Sequence, residues 1–124
     1  MERIVLIQSD MALSRELTFF LQHSGFQVAS ASEGRQALLE INRTQPDAIV
    51  MAEDMAKLNG DELCILIRQT PQAPVIILGT KPEESGGVPF LECGASAYVP
   101  SPLQQGLLLA RIRSLLRRKG AQGI

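Results

Sequence analysis

The sequence predicts an α/β fold: a doubly wound, five-stranded parallel sheet in the order 2-1-3-4-5, with an irregular or shortened fourth helix. Three observations predict it. Short apolar runs rich in β-branched residues recur along the chain, as expected of strands buried on both faces. Segments with apolar residues at helical spacing separate them. The 124 residues hold five such strand–helix units, with no internal repeat and no low-complexity stretch.

Ile4-Val5-Leu6-Ile7 is the first strand. Asp10 can cap the helix after it, which turns Leu13, Leu17, Phe20, Leu21 and Ser24 to one face and ends at Gly25. Phe26 to Ser30 reads as the second strand. Ser32 then caps a helix with Ala37, Leu38 and Ile41 inward. Ala48 to Ala52 forms the third strand, and Asn59-Gly60 opens a helix burying Leu63, Leu66 and Ile67. Pro74 to Leu78 is the fourth strand. In the next segment Gly86-Gly87 and Pro89 oppose helix continuity, predicting a loop through about Gly87 and a short helix from near Pro89. Ser96 to Val99 is the fifth strand. Pro102 suits the first position of a last helix with Leu108, Ile112 and Leu115 inward, closed by Gly120. One domain over residues 1–119 is expected, with 120–124 as the start of a linker or tail.

Composition narrows the function classes. A formal net charge of −1 gives no global attraction to nucleic acid or to an anionic membrane. No stretch approaches membrane-spanning length, and the four-residue apolar run after Glu2-Arg3 is too short for a signal peptide. Cys64 and Cys93 form no CxxC pair and sit in no metal-ligand cluster, so reduced thiols in a cytoplasmic protein are expected. No cofactor and no metal are predicted.

In this topology a site lies at the carboxyl ends of the strands, which selects Gln8, Ser9 and Asp10, then Ala52, Gly79 and Ser101. The motifs framing these positions are Pro46-Asp47, Asn59-Gly60, Gly94-Ala95, Tyr98, and Pro102 before an Ala-Arg-Ile-Arg-Ser-Leu-Leu-Arg-Arg helix. Together, and almost ungapped from Arg3 to Arg118, they resemble the receiver domain of response regulators, a CheY-like, flavodoxin-like fold. The resemblance implies that the third strand should end in a phospho-acceptor aspartate. Ala52 stands there. It implies two adjacent magnesium-binding acids, where Ser9 and Asp10 stand. It implies a switch threonine or serine, matched by Gly79, and a phosphate-binding lysine, matched by Ser101. The chain is therefore similar to a pseudo-receiver, with the phospho-acceptor position filled by Ala52. Atypical receivers of this kind include one preceding a coiled-coil gliding-motility protein of the Frz type.

The substitutions remove charge and ligands. Magnesium takes near-octahedral oxygen ligation, normally with carboxylates. Ser9 and Ala52 provide none, and Ser101 and Gly79 offer little to neutralise an arriving phosphoryl group. Asp10 and Asp54 are the possible surrogate acids. Asp10 reads as a helix cap and Asp54 as a loop residue. Glu53 and Thr80 lie one residue beyond lost positions, and strand alternation turns them to the other face.

The resemblance also implies a face, formed by the fourth helix, fifth strand and fifth helix, that binds partners or a second copy of the chain. Phe90, Glu92, Tyr98, Arg111 and Arg113 are the candidate interface. The broken fourth segment reads either as an irregular surface loop or as a remodelled partner surface, and Tyr98 as a packing residue. Ile65, on the helix face of Asp61 and Arg68, is a candidate exposed contact, and His23 reads as surface. The arginines of the last helix resemble those of receivers that precede a winged-helix domain, although Ser96 and Ala97 replace the acids of the symmetric dimer. They also suit the C-terminus of a solvated helix. No direct DNA binding is expected of this domain.

Two functions follow. The first is a phosphorylation-independent signalling module acting through an unidentified protein partner in a two-component-type pathway. The second is the regulatory domain of a winged-helix transcription regulator. An enzyme is not expected: Gln8-Ser9-Asp10-Met11 is not a flavodoxin phosphate loop, and no loop histidine serves a cobalamin.

Overall fold

A computed structural model of the chain describes residues 1–56, Leu66 and residues 69–122, the last three as backbone only. The strands are β1 (Arg3–Ile7), β2 (Gln27–Ala31), β3 (Ala48–Ala52), β4 (Val75–Leu78) and β5 (Ala97–Val99). All pairings are parallel and the order is β2-β1-β3-β4-β5. The helices with both ends among the described residues are α1 (Met11–His23), α2 (Gly34–Thr44), the single turn α3 (Glu53–Ala56), α4 (Val88–Cys93) and α5 (Gln105–Gln122).

Strand alternation divides the core. Ile4, Leu6, Val50 and Ile76 face the layer containing Leu17, Leu21, Leu108 and Ile112 of α1 and α5. Val5, Ile7, Ile49 and Ile77 face the layer with Ala37, Ile41, Phe90 and Tyr98. Both sheet faces are covered, which is why β3 and β4 read as uninterrupted apolar runs.

Local chemistry fixes the helix ends. The Asp10 carboxylate accepts the Leu13 N–H at 3.1 Å, capping α1, and Gly25 follows the C-cap at φ +100°. The predicted break before α4 is present: a 3₁₀ turn at Glu84–Gly87 passes into α4 with a proline in its first turn.

Several expectations need correction. Glu33, not Ser32, is the N-cap of α2; Ser32 is tied down from outside, its N–H donating to Gln36 Oε1 at 3.0 Å. Leu38 is exposed, because the buried stripe of α2 is Ala37 and Ile41 at i, i+4, and Leu38 lies one residue off it. Strand β2 runs one residue later than predicted, and β4 and β5 each begin one residue later. Pro102 precedes α5 instead of opening it: the Ser101–Pro102 peptide is cis, and the helix begins at Gln105, with the Gln104 carbonyl accepting the Leu108 N–H at 3.1 Å. The buried stripe of α5 is Leu108, Ile112 and Leu116, an unbroken i+4 series, leaving Leu115 half-buried. The helix passes Gly120 and runs through Gln122. Cys93 is disulfide-bonded, contrary to the expected reduced thiol, because sequence spacing excludes a local CxxC but is silent on pairs brought together by the fold. The predicted helix after Asn59-Gly60 (Leu63, Ile67), the contact residues Asp61, Ile65 and Arg68, and Cys64 lie outside the described residues.

Candidate functional site

The carboxyl ends of β1, β3, β4 and β5 meet at one edge of the sheet. Ala52 closes β3, with the residue 7% exposed. The β1–β3 register pairs Ile7 with Met51, so the next step places Gln8 alongside Ala52. Gln8 is buried, and its side-chain Oε1 accepts the Asp10 N–H at 3.0 Å. Ser9 and Asp10 are exposed. The Asp10 side chain is engaged at the start of α1, and Asp54 faces solvent from α3. Ser101 is half-buried, and its N–H donates to the Lys81 carbonyl at 2.9 Å. At this edge a buried amide thus lies beside a methyl group, and Asp10 and Asp54 are turned outward.

This donor set does not fit magnesium. The ion requires several hard oxygen ligands at close, near-octahedral positions. Ala52 offers no side-chain oxygen, Ser9 is neutral, and the one carboxylate on this loop caps a helix. These residues give a divalent ion no built site.

The organised polar chemistry lies one residue away from the predicted pocket. Alternation turns Glu53 from the Ala52 side to the other, and there its carboxylate is enclosed, with the residue 1% exposed. The Tyr98 hydroxyl donates to Glu53 Oε1 at 2.8 Å, and the Thr80 hydroxyl donates to Glu53 Oε2. The Tyr98 oxygen in turn accepts the Lys81 N–H at 3.3 Å. Burial pushes the Tyr98 phenol above its usual value near 10; the hydrogen bond and charge of Glu53 act in the same direction, against the Lys81 and Thr80 backbone N–H groups. Tyr98 therefore does more than pack.

Glycines make the room for this tyrosine. A Cβ on Gly79 would lie 2.1 Å from Tyr98 Cζ, and one on Gly87 would lie 2.4 Å from Tyr98 Cβ and Cγ. Phe90 stacks on the ring at a centroid distance of 6.1 Å and an interplanar angle of 12°. Gly79 thus serves as the floor of a slot, and the space above it holds the ring. Sequence reasoning missed Glu53 because it asked only whether that residue points toward Ala52. A carboxylate directly after a fully apolar strand was the available signal.

Of the candidate interface residues, Phe90 and Tyr98 are buried, while Glu92, Arg111 and Arg113 are exposed. Arg111 joins Tyr98, Leu91, Leu115 and Arg118 in lining a groove of about 220 Å³ between α4, β5 and α5; Arg113 lies elsewhere, beside Glu2 and Arg117. His23 is exposed, its ring 3.9 Å from that of Phe19.

Residues 4–113 match the response regulator receiver domain. The transcriptional regulatory protein AfsQ1 of Streptomyces coelicolor is 37% identical over 118 residues, covering 95% of this chain and 52% of that protein. The response regulator MprA of Mycobacterium leprae is 38% identical over 117 residues, covering 94% of this chain and 51% of its own. The DNA-binding response regulator MtrA of Mycobacterium tuberculosis is 32% identical, with 94% and 51% covered. The chain spans about half the length of these curated relatives. Among solved structures, a receiver domain protein from Clostridium thermocellum has the same fold, with a TM-score of 0.87 at 23% identity over 98% of this chain and 99% of the other. The receiver domain of a Francisella response regulator gives a TM-score of 0.84 at 25% identity over 95% and 98%. With its 2-1-3-4-5 parallel sheet and a site built on strand ends, the chain belongs to the response regulator receiver domain family.

Proposed function

We infer that this receiver domain is a pseudo-receiver: it signals without accepting a phosphoryl group, is not an enzyme, and acts through protein–protein contacts in a cytoplasmic two-component-type pathway. The observation that carries this reading is Ala52, a buried methyl group at the end of the central strand, where phosphoryl transfer to the protein needs a nucleophilic oxygen. Around it Gly79 has no hydroxyl, Ser101 no positive charge, and Gln8 no charge. The surrogate acids Asp10 and Asp54 are exposed to solvent, and the Asp10 carboxylate is engaged as a helix cap. The natural contact surface is the groove beside Tyr98, for a protein partner or a second copy of the domain. Among the described residues no helix is long and apolar enough to cross a membrane.

A second reading concerns what lies on the far side of the domain. The relatives include proteins named as a transcriptional regulatory protein and as DNA-binding response regulators, and this chain spans only about half of each. That favours the receiver of a winged-helix regulator as the alternative to a stand-alone or coiled-coil-linked module. It is compatible with phosphate-independent signalling, since the output domain and the input chemistry are separate questions.

Intact-mass measurement after incubation with a small acyl phosphate tests the first reading. The expected result is an unmodified chain. A phosphoryl adduct mapped to Asp10 or Asp54 would overturn it.

A further inference from the structure

We propose that the enclosed Glu53 side chain latches Tyr98 inward through its hydrogen bond to the phenol, so that the shape of the groove between α4, β5 and α5 is held by a residue of this chain. Three independent features converge on the same ring. The first is the hydrogen-bond chain from the Lys81 N–H through the Tyr98 hydroxyl to Glu53, a carboxylate that also receives the Thr80 hydroxyl. The second is the slot, open only because residues 79 and 87 carry no Cβ. The third is the Phe90 ring stacked on Tyr98.

The chemistry of the latch is that of a hydrogen bond in an enclosed site. A carboxyl group accepting from a phenol and an alcohol keeps both donors aimed at it, and withdrawal of either hydroxyl costs a buried polar group a partner. Tyr98 cannot swing outward without that loss, and Gly87, which closes the 3₁₀ turn before α4, packs against its Cβ. The turn, α4 and the groove wall are thereby coupled to the position of one ring. Leu91 and Leu115 line the groove beside Tyr98, with Arg111 and Arg118 also on its wall, so displacement of the ring changes the surface a partner meets.

This deepens the phosphate-independent reading and rests on it for the signalling consequence alone. The test contains no phosphoryl donor, so failure of the latch and failure of that reading are separable. Tyr98 is the sole tyrosine and the chain has no tryptophan, so tyrosine fluorescence, phenolate absorbance and a ¹³C-tyrosine NMR spectrum each report this one ring. The domain is compared with Glu53→Leu, Glu53→Gln and, as a control, Tyr98→Phe. Glu53→Leu is expected to shift the Tyr98 ring resonances, abolish the ring-to-Phe90 cross-peaks and move the amides of Leu91, Arg111 and Leu115. Its phenol is expected to ionise at lower pH than in the wild type. Tyr98→Phe, which removes the same hydrogen bond from the other side, is expected to weaken the ring-to-Phe90 cross-peaks and to move the same groove amides. Should Glu53→Leu fail to fold, Glu53→Gln decides by the same ring and groove readouts, since the amide keeps the shape and removes the carboxyl group. Folded Glu53 variants whose Tyr98 resonances, ionisation and groove amides all match the wild type overturn the proposal.

Discussion

Adding one methyl group at Gly79 is expected to eject Tyr98 from the core. A Cβ there would sit 2.1 Å from Tyr98 Cζ and 2.3 Å from the hydroxyl oxygen, whereas ordinary contacts begin near 3.4 Å. The ring cannot slide away, because a Cβ at Gly87 would already meet Tyr98 Cγ at 2.4 Å from the other side, showing how close that backbone lies. In Gly79→Ala the tyrosine must therefore leave the slot. Exposing an aromatic side chain forfeits about 2 kcal/mol of apolar burial. Losing its hydrogen bond to a buried carboxylate adds about 1.5–3 kcal/mol. The expected destabilisation is thus about 3.5–5 kcal/mol, a large share of the ~5–15 kcal/mol that holds a domain of this size. Urea unfolding followed by far-UV circular dichroism measures it. With a slope of roughly 1.5 kcal/mol per molar urea, the midpoint should fall by about 2–3 M. Tyrosine fluorescence on the folded variant should move toward that of a solvent-exposed phenol. A midpoint within about 0.3 M of wild type, with unchanged tyrosine emission, would refute the close packing on which the reasoning depends.

Two further outcomes are expected. Because the Tyr98 phenol is raised in the folded state by burial and by Glu53, the native protein holds that proton more tightly than the unfolded chain. Its contribution to stability is full below the unfolded value near pH 10 and is lost as pH rises through the folded value, so wild type minus Tyr98→Phe stability should decline across that window and stay flat below it. Asp10→Ala removes the side-chain acceptor of the Leu13 N–H and is expected to cost about 0.5–2 kcal/mol in thermal or urea unfolding. It should leave the Tyr98 signals unchanged, since Asp10 sits on the loop after β1 and not among the groups around that ring.

Much of the fold was legible because it rests on local physics. Ile49-Val50-Met51 and Val75 to Leu78 are apolar without alternation, and only a sheet covered on both faces accommodates such runs. Gly86-Gly87 and Pro89 announced the break before α4 through backbone entropy and the missing proline N–H, and the structure places the turn and helix start within a residue or two of that expectation. Ala52, Gly79 and Ser101 could be placed at strand ends because the topology dictates where strands end. What escaped depends on contacts between distant segments. The Glu53–Tyr98 hydrogen bond spans 45 residues, and no periodicity connects an acid after β3 to a ring in β5. Gly79 read as a lost hydroxyl, while its structural consequence is the space that Tyr98 occupies. Gln8 was visible at the end of β1 but ranked below the more acidic-looking Asp10, because register, not residue type, decides which side chain stands beside Ala52. The disulfide at Cys93 and the start of α5 beyond Pro102 are likewise properties of the assembled chain.

The central claim is that this receiver fold operates without a phosphoryl group at its strand-end site. An amide NMR titration with magnesium, followed by beryllofluoride as a phosphoryl mimic, addresses it most directly. No saturable shifts at Ala52, Gly79 or Ser101 and no change in the Tyr98 ring are expected. Saturable shifts that begin at those residues and spread to Tyr98 would show that an acid such as Asp10 or Asp54 rescues the site, and would contradict the account.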